Sequence, residues 1–187
     1  MPDSFHTRSA PGRADLAGFV PRLQAFLWDY LVMLAYIAAL VGVSLSVPGV
    51  QSLFRGPVQS DLVAFGVLIL PVILYFTVQE GGAQQASFGK RKRGLKVMRT
   101  DGGRVGPGRA FWRSCAAFAP WQIGHTAIFH SVEPGILPAG VVWGLFGLAY
   151  GLLALGGLMI WKGEAHRAPW DWVAGTVVVR TPEGIPS

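Results

Sequence analysis

Charge is scarce in this sequence. Asp, Glu, Lys and Arg make up 14 % of its 187 residues, against about a quarter in an ordinary soluble domain. Apolar residues make up 51 % and the mean hydropathy is +0.42, a membrane composition. Cysteine is nearly absent: Cys115 stands alone, which excludes an intrachain disulfide and fits a reducing context. Metal-ligand spacing is absent too. His125 and His130 are five apart and do not share a helical face, and no carboxylate or cysteine lies at ligand spacing beside them, so no metal and no cofactor are expected. No elbow serine, zinc-protease helix or paired-cysteine motif occurs, and the chain is not expected to be an enzyme. The stretch around Gly89 and Lys90 fails as a phosphate loop, because Gln84 stands where its first glycine belongs and Arg91 where a Ser or Thr would bind magnesium.

What is present is a series of long uncharged runs. The first, from Leu23 to Val47, is about long enough to cross a ~30 Å hydrocarbon core. It is longer than the apolar stretch of an export signal, contains Asp29 and is followed by further runs, so it reads as a retained span. Breakers between Pro48 and Ser60 make a loop, and residues 62–78 form a second run with Pro71 in its middle, where a kink is expected. Residues 113–130 are the least apolar, with Pro120, Gln122 and His125 inside, and are read as a third span in preference to a re-entrant element. The turn 133–138 leads into a fourth run, 139–161. Residues 1–17 and 181–187 are read as tails, with 18–180 as one membrane domain. The predicted fold is therefore an all-α integral membrane protein, a bundle of about four transmembrane helices. A small polar loop-and-strand element is added on one side, since Leu95 to Arg99 alternates apolar and basic residues and Thr176 to Val179 is β-branched and suited to pair with it.

The net charge of +6 would suggest nucleic acid in a soluble protein, but the positions of the charges argue otherwise. Fifteen of the sixteen Lys and Arg residues fall in the N-terminal segment, the middle loop and the C-terminal segment, with Arg55 alone on the other side. That asymmetry places both termini and the middle loop in the cytoplasm. Trp28, Trp112 and Trp161 fall at the same ends of their spans, where an amphipathic ring belongs. The lipid bilayer is thus the expected partner and nucleic acid is not. The run Lys90 to Arg93 suits anionic lipid headgroups, and equally suits a plain topology determinant.

Acids near the bilayer need a partner, a wet cavity or a proton. Arg22 and Asp29 are seven apart, sharing a helix face about 10 Å apart along the axis, so Arg22 is the nearest partner for Asp29; the alternative is a snorkelling arginine and a boundary acid. Asp171, between Trp170 and Trp172, would lie at the same level. Arg22, Asp29 and Asp171 are therefore expected to form one cluster, net negative. In the fourth run Gly140, Gly144, Gly147 and Gly151 lie on one face, suited to close helix packing, either within the chain or against a second copy.

Three of these stretches together resemble the RDD family of bacterial multi-spanning membrane proteins. Gly18-Phe19, Arg22 and Asp29 are similar to its approach to the first span. Gly89-Lys90 followed by Gly94-Leu95 and Val97 is similar to its Gly-Lys-x-x-x-Gly-Leu-x-Val signature, and Asp171, Ala174-Gly175-Thr176 and Val178 to its closing Asp-x-x-Ala-Gly-Thr-x-Val. The chain departs from the family in Ser87, where threonine is usual, and in Ala168-Pro169-Trp170 before the second aspartate. The resemblance implies that Arg22, Asp29 and Asp171 are the key residues and that the protein is a multi-pass protein of the cell (inner) membrane. It further implies transport of an unidentified ligand, with cation or proton exchange suggested for some members. A non-catalytic membrane scaffold or assembly partner is the alternative, for which the glycine face and basic loop would suffice.

Overall fold

A computed structural model describes residues 10–132 and 136–181; residues 1–9 and 182–187 of the two tails and 133–135 of the predicted turn lie outside the described residues. Four long helices dominate. Helix α1 spans Phe19–Ser46. Helices α2 (Pro57–Ala64) and α3 (Leu70–Gly81) are joined without a break through a π turn, Phe65–Ile69. They make one rod, longer at both ends than the apolar run 62–78. Pro57 opens it, where a missing N–H costs nothing. Helix α5 spans Gly106–Val132 and α6 spans Ala139–Lys162.

Pro71 cannot donate to the carbonyl four residues before it, Val67, which lies in the π turn. The Tyr36 hydroxyl of α1 donates to that freed carbonyl at 2.6 Å, so the defect in one helix becomes a tie to another.

Three of the four rods, α1, Pro57–Gly81 and α6, are long and apolar enough to cross a membrane. Helix α5 has the length, 27 residues, without the hydropathy. Its position supplies the reason: α5 packs along α3 on one side and α6 on the other, so most of its surface meets protein. Ser114, Gln122 and Thr126 are tolerated there because they do not face lipid. By contrast α1 buries only Ala25, Asp29 and Met33, a single stripe at i, i+4 and i+8.

The polar segments assemble at one end of this bundle. Helix α4 (Phe88–Lys92) leads into β1 (Leu95–Arg99), and after α6 the short α7 (Pro169–Val173) leads into β2 (Thr176–Arg180). The strands pair antiparallel, with Val97 opposite Val178 and Arg99 opposite Thr176, the pairing expected from their β-branched pattern. The chain entering α1 extends this unit, as the Ala17 N–H donates to the Val178 carbonyl at 2.8 Å. Ala17, Ala25, Leu95, Val97, Val105, Ala110 and Val178 form one buried cluster that ties the sheet to the ends of α1 and α5.

Of the two roles expected for the glycine row of α6, packing within the chain is not the one it takes. Gly140, Gly144, Gly147 and Gly151 are exposed, and a side chain built on any of them would meet nothing within 4 Å. The helix packs instead through Val142, Ala149, Gly156 and Ile160. The close approach belongs to Gly156, where a Cβ would lie 2.7 Å from the Trp170 ring. No helix of this chain meets the row among the described residues.

Candidate functional site

At the polar end, ion pairs link five helices, α1, α3, α4, α5 and α7. The Arg22 Nη1 of α1 donates to Asp171 Oδ2 of α7 at 2.7 Å, and Arg22 Nε donates to the Ala17 carbonyl at 3.0 Å. Arg113 of α5 donates from Nε to Asp171 Oδ1 at 3.0 Å, with Nη2 2.9 Å from the same oxygen, and from Nη1 to Glu80 Oε2. Lys90 of α4 completes the chain, its Nζ 2.7 Å from Glu80 Oε1. The order is Arg22, Asp171, Arg113, Glu80, Lys90, alternating in sign throughout. Both acids are fully buried, and the side chains of Arg22 and Arg113 are 8 % and 7 % exposed. Charges this buried persist only when paired and hydrogen-bonded. The Ala168 N–H also donates to Asp171 Oδ2 at 3.0 Å, so both oxygens of that acid are fully engaged and the first turn of α7 is capped. Burial alone would raise the Asp171 pKa, but Arg113 and Arg22 outweigh it and hold the carboxyl below its ordinary range.

Asp29 is placed differently from expectation. Its partner is not Arg22, which faces Asp171. Asp29 Oδ2 accepts from the Ser87 hydroxyl at 2.6 Å, and Oδ1 accepts from the Gly89 N–H at 2.8 Å and the Tyr75 hydroxyl at 3.1 Å. Seven residues along one helix set a shared face but leave too long an axial gap for contact, and the nearer donors come from α4. The acid therefore anchors the N-terminus of α4, where free N–H groups and the helix dipole favour an anion. Gly89 has to be glycine here: a Cβ would lie 1.9 Å from the Ala25 carbonyl oxygen. The signature loop is thereby explained residue by residue. Gly89 admits α1, Lys90 pairs with Glu80, Gly94 takes a positive φ of 61° at the turn into β1, and Leu95 is buried in the cluster under the sheet.

The residues first expected as one cluster thus divide between two neighbouring arrangements, Arg22 with Asp171 and Asp29 with α4. Ser87 links them, since its hydroxyl donates to Asp29 and lies 3.5 Å from Lys90 Nζ. Glu80 and Arg113 were not singled out from the sequence, where Arg113 counted only toward membrane orientation. The available signal was that Glu80 lies just past the end of the second apolar run, an acid at a span boundary as Asp29 is near the start of the first. With them the inventory becomes three cations, Arg22, Lys90 and Arg113, against three acids, Asp29, Glu80 and Asp171, so the expected net negative charge is absent. The Arg91 guanidinium is used locally, donating to the side chains of Gln79 and Gln84.

Above the ion pairs lies a cavity of about 310 Å³. Arg22, Asp29, Lys90, Arg113 and Ser114 form its polar end, and Phe19, Leu23, Phe26, Phe76, Phe118, Trp121, Leu153 and Ile160 are among its walls. Leu23, Phe26 and Leu153 remain about four-tenths exposed, which puts the mouth between α1 and α6, on the lipid-facing side. The volume lies at the lower end of the range for small-molecule sites, and so does the composition fit them, apolar walls with a few convergent polar groups.

A second polar cluster lies near the other end of the bundle. Asp61 accepts from Gln122 Nε2 at 2.8 Å and from the Thr126 hydroxyl at 2.8 Å, joining α2 to α5. His130 is buried nearby on α5, and together with His125, whose ring nitrogen contacts the Trp121 carbonyl, it belongs to no group of potential metal ligands among the described residues.

The family model described as RDD family matches residues 16–175. No curated protein and no solved structure matches the chain.

Proposed function

The chain belongs to the RDD family, and from that premise we propose that it is a non-enzymatic, multi-pass protein of the cell membrane that binds and moves a small ligand through the cleft between α1 and α6. The observation that carries this reading is the cavity of about 310 Å³ whose one polar end is the buried ion-pair chain. Cation or proton exchange is the less favoured form of transport. Each acid at this site is already occupied by fixed donors, so none is left to recruit a cation. Both termini and the α4–β1 segment are assigned to the cytoplasm on the Lys and Arg asymmetry, and Lys92 and Arg93, exposed on that end, suit anionic headgroups.

A scaffold role is the second reading, favoured by the outward glycine row of α6, a surface fit for a second copy or another membrane protein. Native mass spectrometry separates the two. Wild-type protein released gently from the membrane is expected to carry a small bound molecule that Gly157→Leu, which fills the cavity, does not retain. In liposomes, Na⁺, K⁺ and H⁺ gradients are expected to persist. An empty wild-type cavity with rapid cation flux would move the assignment to ion exchange, and an empty cavity without flux would favour the scaffold.

A further inference from the structure

Two polar atoms at this end of the bundle have no partner. Arg22 Nη2 and Ser114 Oγ are buried without a hydrogen bond, although Arg22 uses its other nitrogens on Asp171 and Ala17. Both residues line the cavity. A buried unpaired donor is costly, and more so on a charged group. Such a defect in an otherwise saturated network points to a missing acceptor. Asp29, the acid that lines the cavity, is occupied by Ser87, Gly89 and Tyr75 and offers nothing to a cation. With Asp29 counted the site is charge-balanced, so the preference for a negative acceptor rests on the unused N–H of the Arg22 guanidinium itself, a donor that pairs most strongly with an anion. The rest of the cavity is apolar and opens toward lipid between Leu23 and Leu153, each about four-tenths exposed.

We infer that the cavity takes a single-chain amphiphile with an anionic head, a carboxylate or a phosphate ester, whose head accepts from Arg22 Nη2 and the Ser114 hydroxyl while its chain lies against Phe26, Phe118 and Trp121. The inference rests on the reading of this cleft as a ligand site and names the class of ligand. A chain of this kind partitions into the bilayer and reaches the mouth laterally, so no aqueous path is needed. The head then makes a charge-assisted hydrogen bond in a low-dielectric place, where it is worth more than in water.

The test uses the full chain in phosphatidylcholine nanodiscs with 11-bromoundecanoate as probe. Its bromine quenches tryptophan, and Trp121 and Trp170 line the cavity. Saturable quenching is expected, most of it removed in the Trp121→Phe, Trp170→Phe double variant. Ser114→Ala is expected to weaken binding several-fold and Arg22→Gln by about tenfold or more, as for loss of a hydrogen bond to a charged group. Since Arg22→Gln also breaks an ion pair and some of it will not fold, Ser114→Ala and Gly157→Leu decide the matter. Neither touches a salt bridge, and a Cβ at Gly157 makes only an ordinary 3.8 Å contact with Phe19. Gly157→Leu is expected to abolish quenching. Dodecyl phosphate and dodecanoate are the competing arms, and whichever displaces the probe at lower concentration identifies the head. If bromoundecanol binds as tightly as the acid, head recognition is refuted while the cleft survives as a ligand site. If inorganic phosphate competes as well as dodecyl phosphate, the chain has no role and the inference fails. Absence of quenching by acid and alcohol alike refutes this inference, while the ligand-site reading stands or falls separately with the bound molecule sought by native mass spectrometry.

Discussion

Arg113 joins the two acids of the ion-pair chain, and its removal has the largest consequence for the fold. Its guanidinium contacts Glu80 and Asp171, both fully buried, from a side chain itself 7 % exposed. In Arg113→Gln, Glu80 keeps only Lys90 at 2.7 Å and Asp171 keeps Arg22 at 2.7 Å and the Ala168 N–H. Breaking a buried pair by removing one partner costs about 3–5 kcal/mol, because the other charge stays buried. Against a total stability of about 5–15 kcal/mol, that loss is large. Reversible unfolding in bicelles, followed by tryptophan fluorescence, measures it. Arg113→Lys is expected to fall between wild type and Arg113→Gln, since an ammonium keeps the charge but lacks the planar fork that reaches both carboxylates. Glu80→Gln combined with Arg113→Gln is expected to cost less than the sum of the singles, with a coupling of roughly 1–3 kcal/mol. A loss below about 1 kcal/mol in Arg113→Gln, with additive behaviour in the double variant, falls within the range of ordinary substitutions and would refute the assignment of Arg113 as the central link.

Gly89→Ala is expected to loosen α4 from α1, at about 1–3 kcal/mol as for other overpacked contacts, because its Cβ would sit 1.9 Å from the Ala25 carbonyl oxygen; wild-type thermal stability in detergent would contradict it. Within α6, Gly156→Leu should destabilise the protein in the same assay because Trp170 lies 2.7 Å from the added Cβ, whereas Gly144→Leu and Gly147→Leu, with nothing within 4 Å, should match wild type; the opposite order would contradict the packing described here. Acid unfolding gives a sign to Asp171, whose folded pKa lies below its ordinary value. Its contribution is complete above an unfolded pKa of about 3.9 and is lost as pH falls through the folded value, so wild-type stability should drop below about pH 4 and drop less steeply in Asp171→Asn. Equal slopes would exclude Asp171 as the source. In a Cys115→Ser background, Arg55→Cys should react with an impermeant maleimide added outside intact cells and Lys92→Cys only after lysis; external labelling at 92 would overturn the orientation.

Much of the architecture was legible because its causes are local. An uncharged run of about twenty residues states its own length and its solvent, and α1 and α6 match their runs closely. Alternation in Leu95 to Arg99 and β-branching in Thr176 to Val179 sufficed to predict a pairing between segments far apart in the chain, since few other segments were available to pair. Arg22, Asp29 and Asp171 stood out for a similar reason, as charges that a membrane makes expensive wherever they fall. Their partners were not legible. Arg22 meets Asp171 across 149 positions, and Arg113 meets Asp171 across 58; no spacing rule extends that far, and the local rule pointed Arg22 toward Asp29. Only the tertiary structure brought Ser87 and Gly89 to Asp29 and put α5 at the centre, where its weak hydropathy is an effect of contact with α3 and α6. The glycine row shows the same limit from the other side. Periodicity placed Gly140, Gly144, Gly147 and Gly151 on one face, but a face is a property of one helix and its partner a property of the assembly. In this chain the packing of α6 falls to Gly156, because α7 folds back and lays Trp170 there.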